Sequence, residues 1–101
     1  MKALPWLEVN DMLDLLRTGS ENADIIEGLA EGVPSFIEAT TGYSAAKIQS
    51  DECDSTAQLL SKFLLTLWYA PDGTDSDRLQ RTIDSLTCVL KRKVTLGVAE
   101  G

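Results

Sequence analysis

The chain has no histidine, only two cysteines, and no glycine-rich phosphate loop of the Walker or Rossmann kind. Histidine is the usual general base near neutral pH and the commonest metal ligand, so its absence removes the simplest catalytic and metal-binding sites. Cys53 and Cys88 lack the spacing of a zinc site, and we expect both to be free thiols in a reducing cytosol. These absences predict a chain that is not an enzyme and that uses no cofactor or metal.

Long apolar runs are also missing. Leu59 to Trp68 comes nearest, but three polar residues interrupt it, and it falls short of the roughly 20 residues that a membrane helix needs. No apolar segment follows Lys2, which argues against a signal peptide. With 101 residues, of which 44% are hydrophobic, the chain is expected to form a single domain over residues 1–101, with a modest core and no membrane contact.

The charge is acidic and unevenly placed. There are 9 basic and 16 acidic residues, a net charge of −7, which argues against general affinity for nucleic acid. Residues 1–54 hold 11 acids and 3 bases, whereas residues 55–101 hold 5 acids and 6 bases. Two interpretations stay open: head-to-tail pairing of unlike surfaces between copies, or two independently solvated surfaces.

The spacing of apolar residues predicts an all-α fold, a small bundle of about four helices. The predicted helices run from Leu7 to Arg17, from Ala23 to Thr41, from Asp54 or Ser55 to a Pro71-Asp72-Gly73 turn, and from Asp75 or Ser76 to about Val94. We expect Gly19 to be a left-handed cap after the first helix and Asn22 to cap the start of the second.

Between the second and third helices, the polar linker Tyr43 to Asp54 is expected to form a short strand or an irregular loop. The tail, about residues 95–101, is expected to be flexible. Pro34 lacks an amide hydrogen, so a kink or break is expected between Glu31 and Pro34.

The third helix is apolar over about half of its circumference, which is typical of the central helix of a bundle. The predicted core combines the apolar sides of the last three helices. It consists of Ile26, Leu29, Val33, Ile37, Leu60, Phe63, Leu64, Leu67, Trp68, Leu79, Ile83, Leu86 and Leu90.

The second helix also carries an acidic stripe, formed by Asp24, Glu27, Glu31 and Glu38. At about 100° per residue these carboxylates fall on one side, away from the apolar stripe. The stripe is either a solvated face or a functional surface, for which a channel lining and a subunit interface are the candidates. Metal binding is disfavoured because side chains on one exposed helix face diverge and no calcium-loop pattern surrounds them.

Two other groups are candidate interface residues. Trp6 precedes the first helix and is expected either to cap the bundle of its own chain or to anchor on a neighbouring molecule. Lys91, Arg92 and Lys93 lie in the last turn of the fourth helix, where cations favour the helix dipole. This cluster is either a solvated helix end or part of an interface, and three bases are too few for a nucleic-acid site.

Two segments form a distinctive pair: one runs from Asp24-Ile25-Ile26 to Phe36-Ile37-Glu38 and Thr41-Gly42, and the other is the aliphatic run Leu64 to Tyr69, which ends in an aromatic pair. Both resemble segments of phage head–tail connector proteins of the gp6-like and gp15-like type. In that family the second helix ends Ile-Glu-x-x-Thr-Gly, and a later aliphatic run ends in an aromatic pair. The likeness extends over about residues 6–94. Pro34 and the absence of Asn-Arg after Tyr69 depart from the family pattern.

The resemblance implies a structural virion protein located at the head–tail junction. Copies would form a homo-oligomeric ring between the portal protein and the tail-completion proteins, with DNA passing through without specific binding. Acidic residues facing the channel would repel the phosphate backbone. The resemblance also implies that the chain ends and the Tyr43 to Asp54 linker contact these partners and become ordered only on assembly. The alternative function is a small acidic cytoplasmic regulator that binds a partner protein through a helical surface.

Overall fold

The computed structural model describes residues 4–69 and 76–97, and this part of the chain is helical without any strand. The helices are α1 (Val9–Leu15), α2 (Ala23–Thr41), α3 (Ala45–Ile48), α4 (Ser55–Tyr69) and α5 (Ser76–Leu96), with a 3₁₀ turn at Ser20–Asn22 before α2. The predicted all-α class is confirmed, while the linker contains a short helix where a strand or an irregular loop was expected. The predicted Pro71-Asp72-Gly73 turn lies outside the described residues.

Helix α1 is shorter than predicted and ends differently. Arg17, with φ of 53°, takes the left-handed conformation expected at Gly19, whose φ is −93°. The Arg17 amide donates to the Asp14 carbonyl at 3.2 Å, and the Thr18 amide donates to the Leu13 carbonyl at 3.0 Å. These two bonds form a Schellman cap, which closes α1 at Leu15 without a glycine.

Helix α2 has the predicted bounds. Gly42, with φ of 84°, closes it in the left-handed conformation, and its amide donates to the Glu38 carbonyl. The helix continues through Pro34, so the predicted break is wrong, and a bend without a break stays a prediction. Pro34 is buried on the side that carries Val33 and Ile37. Asn22 precedes the helix as predicted, but its side chain makes no capping bond.

The segment between α2 and α4 is an integral part of the core. Tyr43 and Ile48 are buried, and the Tyr43 hydroxyl accepts a hydrogen bond from the Asp54 amide at 2.9 Å. Cys53 is buried as well. The expectation that this segment becomes ordered only on assembly is therefore wrong, because its own side chains already fix it within the chain.

Helix α2, and not α4, is the central helix. It packs against α1, α3, α4 and α5, whereas the main neighbours of α4 are α2 and α5. Buried residues recur along most of α2, from Ile26 to Thr41, so this helix meets neighbours over nearly its whole length.

The predicted core residues divide into three groups. Seven are buried: Ile26, Val33, Ile37, Leu60, Leu64, Ile83 and Leu90. Five are partly buried against them: Leu29, Phe63, Leu67, Trp68 and Leu86. Leu79 is partly buried and lies outside this cluster, near the start of α5. The core also includes Leu65 of α4 and four residues before α2, Leu4, Leu7, Met12 and Leu13, so the N-terminal segment has a larger share than predicted.

The end of α5 extends beyond Val94 to Leu96, so Thr95 and Leu96 are helical and do not belong to a flexible tail. The remainder of the predicted tail, residues 98–101, lies outside the described residues. Within residues 4–69 and 76–97, no helix has the length and apolar character required to cross a membrane.

Candidate functional site

The acidic stripe of α2 lies on the surface. Asp24, Glu27, Glu31 and Glu38 are all exposed, on a helix whose opposite side carries the buried residues Ile26, Val33 and Ile37. Helical periodicity explains this separation, because carboxylates at these spacings recur on one side of the helix. The structure therefore presents a continuous negative surface along α2.

Glu38 has a structural role in addition to its place in the stripe. One oxygen of its carboxylate, Oε2, accepts a hydrogen bond from the Ala45 amide at 3.0 Å. Ser44 Oγ accepts from the Ala46 amide at 3.2 Å, so two side chains satisfy amides in the first turn of α3. Glu38 is thus a cap for the next helix, a role that its position in the sequence did not reveal.

Trp6 packs against its own chain. Its indole Nε1 donates to the Ile48 carbonyl at 2.7 Å, and its ring is partly buried against the core. Of the two open interpretations, the structure thus places Trp6 in the bundle of its own chain, where it joins the N-terminal segment to the end of α3.

The basic residues at the end of α5 separate into two kinds. Lys93 Nζ lies 3.4 Å from Asp54 Oδ1 and donates to Thr56 Oγ1 at 2.8 Å, so it ties α5 to the start of α4. Lys91 and Arg92 are exposed. Only the latter two are available to a partner, while Lys93 belongs to the contact between the two helices.

An aromatic contact joins α2 to the end of α4. The rings of Phe36 and Trp68 are edge-to-face, with centroids 5.3 Å apart and an interplanar angle of 90°. A Cβ placed on Gly32 would lie 3.8 Å from the Trp68 ring, so the indole lies close to the backbone of α2. Phe36 is 40% exposed, and Ile25, about three turns nearer the start of α2 and on the same side, is 60% exposed, so this side of α2 carries exposed apolar residues.

Three polar side chains join the N-terminal part of the chain to α4. The Tyr69 hydroxyl donates to Thr18 Oγ1 at 2.9 Å and accepts from Asn22 Nδ2 at 3.0 Å. Asn22 Nδ2 also lies 2.6 Å from Thr18 Oγ1. This triangle explains why Asn22 does not cap α2, because its amide is directed to the other two side chains.

Both cysteines are free thiols, as predicted, but their surroundings differ. Cys53 is buried, and this burial, together with the neighbouring Asp54 carboxylate, raises its pKa to about 12. Burial likewise raises the pKa of the Tyr43 hydroxyl, partly offset by its hydrogen bond with the Asp54 backbone. Cys88 is exposed on α5. The Cys53 thiol is therefore a protonated core group and a poor nucleophile.

No group of three or more cysteine, aspartate or glutamate side chains in the described residues is placed to hold a metal ion. What the fold brings together are surfaces: the acidic stripe of α2, the apolar flank around Ile25 and Phe36, and the exposed side of α5. The roles of Tyr43 and Thr18 could not be found in the sequence, because both depend on partners far away along the chain.

Comparison of this chain with protein-family models, with curated proteins and with solved structures finds no match.

Proposed function

We propose that this chain is the subunit of a phage or prophage head–tail connector. Its copies form a homo-oligomeric ring in the virion, between the portal protein and the tail-completion proteins, and DNA passes through the ring without specific binding. The protein is assembled in the cytoplasm of the bacterial host and has a structural role.

The observation that carries this proposal is the contact between the two segments that resemble the connector family. Phe36, which opens the Phe36-Ile37-Glu38 motif, packs edge-to-face on Trp68, which belongs to the aromatic pair at the end of α4. The motif ends at Thr41, followed by Gly42 in the left-handed conformation. Phe36 and Trp68 are 32 residues apart in the sequence, yet their contact joins the two motifs in one structural unit. This is expected if both motifs resemble the family because they pack on each other.

Charge supports the same function. A net charge of −7 and an exposed acidic stripe disfavour retention of DNA, which a conduit must release. A ring also needs two unlike surfaces on each subunit, because each copy meets its neighbours through different faces. The stripe has two possible positions in such a ring, in the bore or between subunits.

Deletion of the gene in the phage or prophage that encodes the chain tests the role directly. DNA-filled heads and free tails should accumulate separately, and expression of the chain in trans should restore joined particles. Electron microscopy of the lysate and DNase protection of the packaged genome give the two readouts. Intact, infectious virions from the deletion strain would contradict the proposal.

Native mass spectrometry of the purified protein provides a second test, since a single closed oligomer with an annular appearance in negative stain supports the ring. A monomer at all concentrations, combined with normal virions after deletion, would favour the alternative of a small acidic regulatory protein that binds a partner through a helical surface.

A further inference from the structure

Two helix surfaces carry opposite charges at matching positions. On α2, Asp24, Glu27 and Glu38 follow one another at separations of 3 and 11 residues, and on α5 the same separations relate Arg78, Arg81 and Arg92. At about 100° per residue, each trio occupies an arc of roughly 60° on one side of its helix. All six side chains are exposed. We call the three arginines the basic ridge of α5.

The basic ridge is not neutralised within its own chain. In residues 4–69 and 76–97, neither the three arginines nor Asp24 and Glu27 take part in an ion pair. The acids of α5 within the described range, Asp77 and Asp84, lie on one side of the ridge, about 40° and 60° around the helix from Arg81 at this helical repeat. Each helix thus presents a trio of exposed, like-charged side chains, and within the described residues no ion pair neutralises either trio.

Shape and hydrophobicity also favour contact between the two surfaces. Val89 is 46% exposed. Along α5 it lies between Arg81 and Arg92, and around the helix it borders the ridge. On α2 the acidic stripe is bordered by small exposed residues, Gly28, Ser35 and Ala39, and a Cβ on Gly28 would meet nothing within 4 Å. A valine opposite small residues allows two helices to approach closely while their charged residues pair.

We propose that the basic ridge of α5 in one copy docks on the acidic stripe of α2 in the next copy, with the two helices parallel. Arg78 then faces Asp24, Arg81 faces Glu27, and Arg92 faces Glu38. In an antiparallel arrangement with Arg92 opposite Asp24, Glu27 would lie opposite Val89, and the pair between Glu27 and Arg81 would be lost. The inference rests on the proposed ring, for which it supplies the two unlike surfaces, and it places the acidic stripe between subunits and not in the bore.

Charge reversal tests the pairing. One variant carries Asp24→Arg and Glu27→Arg, and a second carries Arg78→Glu and Arg81→Glu. Each alone should assemble at least ~10-fold more weakly than the unmodified chain, because two of the three contacts now join like charges. An equimolar mixture of the two should assemble again, since each interface then joins opposite charges. Sedimentation velocity at low and high salt measures both effects, and Lys47→Glu with Lys62→Glu provides a control of equal charge change that should assemble normally.

Disulfide trapping tests the register. In a Cys88→Ser background, a chain with Glu27→Cys is mixed with a chain carrying Arg81→Cys, and oxidation should yield a covalent dimer. A mixture of Glu27→Cys with Val89→Cys chains should give far less, because those positions meet only in the antiparallel arrangement. The opposite order of yields would overturn the parallel register.

Failure of this inference can be separated from failure of the proposed function. Rings that persist in both reversal variants would overturn the pairing while leaving the connector role in place. A chain that remains monomeric at every salt concentration would also overturn the pairing, and the deletion experiment would then decide the connector role by itself.

Discussion

The Tyr69 hydroxyl donates a hydrogen bond to Thr18 Oγ1 at 2.9 Å, although 51 residues separate the two positions in the sequence. Asn22 donates to the same tyrosine oxygen at 3.0 Å, so one hydroxyl at the end of α4 fixes the chain that enters α2. Hydrogen bonds of this kind orient two segments that the apolar core alone would leave free to shift.

Removal of this hydroxyl should destabilise the fold. We expect Tyr69→Phe to lower the free energy of unfolding by about 1–2 kcal/mol, because Thr18 and Asn22 lose a partner while partly buried. Urea denaturation measures the change. In a double-mutant cycle with Thr18→Val, the two effects should be less than additive, and full additivity would contradict the proposed contact.

Two glycines should respond in opposite ways to alanine. Gly28 lies inside α2, and its added Cβ would meet nothing within 4 Å, so Gly28→Ala should stabilise the protein by roughly 0.5–1 kcal/mol. Gly42 has φ of 84°, which strains any L side chain, so Gly42→Ala should destabilise it by about 1 kcal/mol or more. Thermal unfolding of both variants gives the signs, and equal signs would contradict the description of α2.

Lys93 should contribute to stability, unlike its two neighbours. Lys93→Met keeps the apolar stem but removes the ion pair with Asp54 and the bond to Thr56, for an expected loss of about 0.5–1 kcal/mol that decreases in high salt. Lys91→Met and Arg92→Met are the matched controls and should change the free energy of unfolding little, since both residues are exposed. If all three variants lost the same free energy of unfolding, the cause would be the general charge of α5 and not the contact of Lys93 with α4.

Alkaline pH should destabilise the fold through Cys53. The folded protein holds this thiol protonated with a pKa of about 12, whereas an unfolded chain ionises near the ordinary value of 9.0. Stability is therefore unaffected by this group below about pH 9 and falls above it by up to about 1.4 kcal/mol per pH unit, towards pH 12. The raised pKa of Tyr43 acts in the same direction.

Guanidinium denaturation from pH 8 to 11 measures that slope. Cys53→Ala should reduce the slope, even though the lost side chain lowers stability at all pH values. At pH 8, a thiol reagent should modify Cys88 rapidly and Cys53 only on unfolding. An unchanged slope in Cys53→Ala would show that other groups cause the alkaline loss.

The sequence predicted helices where hydrophobic periodicity extends over several turns. The bounds of α2 and the start of α4 at Ser55 agree with prediction, because each helix has a long repeating apolar side and a clear signal at its end. The same reasoning misjudged the end of α1, where Arg17 adopts a conformation for which glycine is the usual choice. Local preference at a single residue is a weak guide when surrounding contacts determine the backbone.

The linker and the candidate site were less predictable, for a related physical reason. Tyr43 is buried in a polar segment because the Asp54 amide satisfies its hydroxyl, and Glu38 caps a helix that begins seven residues further along. Neither contact leaves a periodic pattern in the sequence. The acidic stripe was visible from spacing alone, whereas its relation to the arginines of α5 depends on which sides of the two helices the fold leaves exposed.

Helix α1 has α2 and the 3₁₀ turn as its main packing partners, and an aromatic side chain forms a hydrogen bond at each of its two ends. Before α1, Trp6 donates to the Ile48 carbonyl, and after it Thr18 accepts from Tyr69. The segment is thus held to the rest of the bundle by one hydrogen bond before the helix and one after it. Its amides should exchange with solvent as one group, at a lower free energy than those of α2. Local unfolding that breaks both hydrogen bonds would expose Met12, Leu13 and the underlying side of α2 in a single step.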